Sequence, residues 1–117
     1  MQEVMIQFGR LDILVANARI PERKAPIHPL DLAGWRRAID VALTGVTICN
    51  KFAAGAMLAT SGGAIVNMAS ILGHVGQESS NAYSAAKAAV INLTRSVARR
   101  GRPAGVSLGP CTLTARN

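Results

Sequence analysis

Aromatic residues, cysteines and acidic residues are all scarce in this chain, and each scarcity removes a class of protein. Phe8, Trp35, Phe52 and Tyr83 are its aromatic side chains, so nucleic-acid binding by stacked bases has almost no surface to use. Cys49 and Cys111 are its two cysteines. They lie far apart without neighbouring metal ligands, which argues against a disulfide framework and for a reducing cytoplasm. His28 and His74 add no ligand spacing, and no metal site is expected.

Acidic residues number 6 against 13 Lys and Arg, giving a net charge of +7. No Asp or Glu follows Glu78, whereas Lys87, Arg95, Arg99, Arg100, Arg102 and Arg116 do. The excess raises nucleic acid as a partner. No nucleic-acid motif supports it, and Arg95, Arg99 and Arg100 stand where cations favour a helix C-terminus. The opening Met1-Gln2-Glu3 has an acid and an amide where an export signal needs basic residues. Phe52 to Gln77 is uncharged, but Ser61-Gly62-Gly63, Asn67, Ser70 and His74 interrupt it. A buried strand between turns is expected there, and no membrane segment.

What remains is a chain that is 50% apolar over 117 residues, enough for one core and one domain spanning 1–117. Met1 to Gly9 reads as the end of an amphipathic helix, with Val4, Met5 and Phe8 on one face and Gly9 as its stop. Leu11 to Ala16 is a continuous apolar run, as in a parallel strand covered on both faces. Pro21, Pro26 and Pro29 make Asn17 to Pro29 a loop. From Asp31, a candidate N-cap, to about Thr60 the pattern is helical, with Leu32, Trp35, Ile39 and Leu43 at steps of three and four and a possible bend at Gly45.

Ala64 to Met68 is a second apolar run of strand length, followed by a loop holding Ser70, Gly73 and Gly76. Asn81 or Ser84 opens an Ala-rich helix that ends at Gly101 or Pro103. Gly105 to Leu108 is a third strand, after which Gly109-Pro110 turns the chain away. Alternating helix and strand predicts an α/β fold, with about three parallel strands and right-handed crossovers.

Tyr83 and Lys87 are four apart at a helix start and so share one face. An ammonium one turn away favours a phenolate and suits tyrosine to acid and base work. Ser70 precedes Tyr83 by thirteen residues and follows a strand, at the edge where open α/β sheets place ligands. A hydroxyl there would hold a carbonyl while Tyr83 moves its proton. Each taken alone is an ordinary feature, a turn serine and a solvated helix face.

Three segments together carry a resemblance: Gly9-Arg10-Leu11-Asp12-Ile13-Leu14-Val15-Ala16-Asn17-Ala18, Gly62-Gly63-Ala64-Ile65-Val66-Asn67-Met68-Ala69-Ser70, and Tyr83-Ser84-Ala85-Ala86-Lys87. In order and spacing they resemble short-chain dehydrogenase/reductases from about Gly9 to Arg100. The resemblance implies a partial Rossmann-type, doubly wound parallel sheet and an NAD(P)-dependent oxidoreductase that interconverts an alcohol and a carbonyl. Tyr83 would be the catalytic acid/base, Lys87 would hold the nicotinamide ribose, and Ser70 would bind the reacting oxygen. Asn17 and Ala18 would lie beside the adenosine half of NAD or NADP. Thr112 or Thr114 would hold the carboxamide.

The departures from that pattern are as specific. The family's first strand, its Gly-x-x-x-Gly-x-Gly phosphate turn and its late substrate lobe have no counterpart here, so a fragment with impaired or absent activity is expected. Ala16 replaces the first Asn of the turn motif, Arg19 stands where Gly is expected, and Ala42 replaces a helix asparagine that holds a water in the proton relay. His74, Val75 and Gln77 are candidate pocket or plain loop residues. The Leu11 to Ala16 strand would expose an unpaired edge. The helices at 32–59 and 83–100 would make a homo-oligomer, or pair a catalytically silent module with a full-length relative.

Overall fold

A computed structural model of the chain describes residues 1–101 and 106–113. At its centre lies β2, Gly63–Ser70, whose neighbours run parallel on either side. β1, Ile13–Ala16, pairs with it from Ile13 opposite Ala64 to Ala16 opposite Asn67. β3, Val106–Leu113, pairs along the other edge from Val106 opposite Gly63 to Leu113 opposite Ser70. The three apolar runs thus form one parallel sheet ordered β1-β2-β3.

β3 departs from the sequence reading, because Gly109 and Pro110 lie inside the strand and not in a turn. An edge strand has one row of backbone groups that meets no neighbour, so it tolerates a residue without an N–H.

Helix α1, Gln2–Phe8, stops where Gly9 takes the left-handed φ of 73°. Helix α2, Leu32–Ile39, begins where Asp31 accepts hydrogen bonds from the backbone N–H groups of Ala33 and Gly34, each at 3.0 Å. It continues through a π-helical turn, Asp40–Thr44, into α3, Gly45–Leu58. The irregularity therefore precedes Gly45, whose own backbone is ordinary right-handed helix. The buried positions Ala38, Ala42, Val46 and Asn50 recur every four residues, more slowly than the 3.6-residue turn. One wider turn takes up that drift and keeps a single face on the sheet.

A short helix α4, Leu72–Val75, occupies part of the loop expected after β2, and α5 spans Asn81–Gly101. The core lies between the sheet and one helical layer. Ala53 and Met57 of α3 pack on Ile65 with Leu11 and Leu14, while Ala16, Val46 and Val90 of α5 close a second cluster with Leu43. A Cβ on Gly63 would come within 2.8 Å of Met57 Sδ and of the Asp12 carbonyl oxygen, so glycine sets how closely α3 lies on the strand. Leu32–Leu58 is long and apolar enough to cross a membrane by length and composition; here its buried stripe faces the sheet.

Polar groups also enter this layer. Asn67 Nδ2 donates to Thr94 Oγ1 at 2.9 Å, and Thr94 Oγ1 donates to the Val90 carbonyl at 2.7 Å. The side chain of Asn50 is buried with neither amide atom hydrogen-bonded.

Candidate active site

Parallel strands point the same way, so their C-terminal ends lie along one rim of the sheet. β1 stops at Ala16 opposite Asn67, and β2 and β3 run on to Ser70 and Leu113. Ser70 is the last residue of β2 and not part of the following loop. It is buried, and its Oγ accepts a hydrogen bond from the backbone N–H of Leu72 at 3.2 Å. Asn17 and Ala18 follow the last residue of β1 and are exposed. The backbone of Thr112 in β3 stands opposite Ala69, one residue before Ser70. The Thr112 side chain and all of Thr114 lie outside the described residues.

The first turns of α5 bring Tyr83 and Lys87 to the same rim. Lys87 is only 2% exposed, and its Nζ donates to the carbonyl oxygen of Met68, two residues before Ser70. The same Nζ lies 5.7 Å from the centre of the half-buried Tyr83 ring, within cation–π range. Burial pushes the Lys87 amine below its ordinary pKa, and the positive charge of Arg19 pushes it the same way. Arg19, in a position where the resemblance expects glycine, thus acts on the amine through its charge.

Two features of this arrangement are invisible in the sequence pattern. The start of α5 is held by Glu22, whose carboxylate accepts from the backbone N–H groups of Ala82 and Tyr83, each at 2.9 Å, and from Ser80 Oγ at 3.1 Å. Ala25 completes the clasp: its N–H donates to the Ser79 carbonyl at 3.1 Å and its carbonyl accepts from Asn81 Nδ2 at 2.8 Å. A carboxylate at a helix N-terminus both satisfies orphan donors and meets the positive end of the helix dipole. Only an acidic residue in a proline-rich loop hinted at this.

The second feature is Gly73 in α4. A Cβ there would stand 2.7 Å from the Lys87 carbonyl carbon and 2.8 Å from the Ala88 nitrogen. Glycine therefore lets α4 lie on the backbone of α5 at Lys87. Elsewhere, Ala42 is buried in the π-helical turn and offers no polar side chain. His74, Val75 and Gln77 are exposed.

Comparison with known proteins places these observations in a larger context. A family model described as short chain dehydrogenase matches residues 1–113. The chain is similar to a cis-4-hydroxycyclohexanecarboxylate dehydrogenase of Sinomonas cyclohexanicum, at 59% identity over 84% of this chain and 39% of the relative. It is similar at 39% identity to a 3-oxoacyl-[acyl-carrier-protein] reductase of a Synechocystis strain, over 87% of this chain and 41% of that one. Among solved structures, an acetoin dehydrogenase from Enterobacter cloacae superposes with a TM-score of 0.86 at 33% identity, over 93% of this chain and 43% of the other. A short-chain alcohol dehydrogenase from Sinorhizobium meliloti gives a TM-score of 0.88 at 30% identity, with the same coverage. The fold is thus the parallel α/β sheet of the Rossmann type, and the chain spans about two fifths of the length of these relatives.

Proposed function

Because the chain belongs to the short-chain dehydrogenase family, we propose that it carries a site for interconverting an alcohol and a carbonyl, with Tyr83, Lys87 and Ser70 handling the substrate oxygen and its proton. The observation that carries this reading is the Lys87 amine, buried, tied to the carbonyl of Met68 beside the end of β2, and set against the ring of Tyr83.

In the direction of reduction the phenol of Tyr83 gives its proton to the carbonyl oxygen, and in oxidation the phenolate takes the alcohol proton. The ammonium beside the ring favours that phenolate. Ser70 already receives the Leu72 N–H on a lone pair, which leaves its own O–H to donate to the same substrate oxygen.

The hydride at the carbon would be supplied or accepted by NAD or NADP when bound. The half-buried phenol and the buried amine suit the hydroxyls of its nicotinamide ribose. Asn17 and Ala18, which follow the end of β1, would lie beside its adenosine half, and Thr112 would hold its carboxamide. These residues form one domain, working in a reducing cytoplasm.

The 59% relative is named for a ring-borne hydroxy acid, which supports a small alicyclic hydroxy acid or its ketone as substrate. The test is turnover of NADH or NADPH with a panel of cyclic oxo acids. Tyr83→Phe should lower the rate about 10²-fold to 10⁴-fold. Turnover that survives this change would remove the proposed role of the phenol.

A second reading, a catalytically silent module that pairs with a full-length relative, is favoured by the apolar Ala42 and by a sheet edge without a partner strand among the described residues. The exposed Ile48, Phe52 and Leu58 of α3 support association with a second copy through the helices. Size-exclusion with and without a full-length relative separates the two: no turnover together with a stable mixed complex favours the module.

A further inference from the structure

A cavity of about 610 Å³ opens between the loop after β1 and helix α2, and Lys87 is not among its lining residues. Its volume falls in the range of small-molecule sites. Arg23, Lys24 and Arg37 line it together with the ring of Trp35, and Glu22 and Asp31 supply its acidic groups. Both carboxylates are already engaged. Glu22 accepts from Ser80, Ala82 and Tyr83, and Asp31 accepts from the N–H groups of Ala33 and Gly34.

The three cations are in a different state. Arg23, Lys24 and Arg37 are exposed and outnumber the two carboxylates of the lining, and among the described residues the ion pair formed is Arg10 with Asp12 and involves none of them. Ile20, Leu30 and the Trp35 ring give the same cavity an apolar wall. Guanidinium groups that form no ion pair bind a carboxylate through paired N–H donors, and an apolar ring beside it would cover the tryptophan face.

We propose that this cavity binds a small monocarboxylate with an apolar body, of the kind a cycloalkane carboxylate presents. The assignment of such a ligand as substrate rests on the reading above; the binding itself does not. Ala82, the residue before Tyr83, also lines the cavity. The acid group of a ring hydroxy acid would therefore be recognised next to the turn that carries the phenol.

Trp35 is the chain's one tryptophan, so its emission reports directly on the cavity. Titration of the whole chain with cyclohexanecarboxylate, followed by fluorescence and by calorimetry, should show saturable binding, with the uncharged cyclohexanecarboxamide at least about tenfold weaker. Arg37→Gln should weaken the acid about tenfold, and Arg37→Lys should restore part of the loss. Lys51→Gln on α3 should change nothing. If Arg37→Gln fails to fold, Arg23→Gln carries the same expectation.

No saturable signal up to about 10 mM, a range that reaches Kd values weaker than 1 mM, would overturn the proposal. So would equal affinity for acid and amide, or an unchanged affinity in the arginine variants. Binding without turnover would leave the cavity standing and remove the catalytic reading. Turnover of an oxo acid without binding here would do the reverse.

Discussion

The two faces of β1 are equally apolar and meet opposite fates. Leu14, Ala16, Ile65, Asn67 and Ala69 share one face, which α3 and α5 cover. Ile13 and Val15, their neighbours in the same strand, are 65% and 55% exposed. Helix α1 repeats the lesson, since it forms and stops at Gly9 as its pattern requires, yet Ile6 and Phe8 remain exposed. An apolar run states that a segment is made to be covered and leaves open what covers it.

That contrast can be broken most directly on the covered face. Met57 is fully buried between α3 and β2, so Met57→Ala should cost about 2–5 kcal/mol in urea unfolding; a cost below about 0.5 kcal/mol would mean the layer is not packed as described. Glu22→Ala comes next, with about 1–2 kcal/mol lost and faster amide exchange at Ala82 and Tyr83, because two N–H groups lose their acceptor. Unchanged exchange there would show that the clasp does not form in solution.

Asn50→Leu should act in the opposite direction. It replaces a buried, unpartnered amide and should raise stability by about 1 kcal/mol, whereas a loss would point to a partner for that side chain. On the bare face, Val15→Thr should stay within about 0.5 kcal/mol and reduce self-association seen by light scattering.

The smallest effect is one of pH. Because the Lys87 amine has a lowered pKa in the folded chain, the unfolded chain holds that proton more tightly, and stability rises with pH between the lowered folded value and the ordinary lysine value. The penalty of burying the charge is fully present below the lowered value. The stability of Lys87→Met relative to the parent should therefore fall as pH is raised through that window, as followed by urea midpoints; a constant difference would contradict the burial of the charge.

Much of this architecture was legible beforehand, for identifiable reasons. Asp31 as a cap, Gly9 as a stop, the two first strands and the long helix from Asn81 all follow from local preferences that act within a few residues. Tyr83 and Lys87 share a face because helical spacing alone demands it. The misreadings lie where distant groups decide. Pro110 is accommodated in β3, which is paired on one side among the described residues, and the π-helical turn arises from a four-residue burial rhythm set by the sheet. Glu22 could not be assigned from its neighbours, since its partners lie about sixty residues away in sequence.

By itself, then, the amino-acid sequence determined where most helices and the first two strands would lie, that the strands would run parallel, and that Tyr83 and Lys87 would share one helix face. The tertiary structure alone decided that Lys87 is buried against Met68, that Glu22 holds the helix carrying Tyr83, and which strand face goes without cover. The reason is physical: backbone preference and periodicity are local, whereas burial, charge and hydrogen-bond partnership depend on groups the chain brings together only by folding.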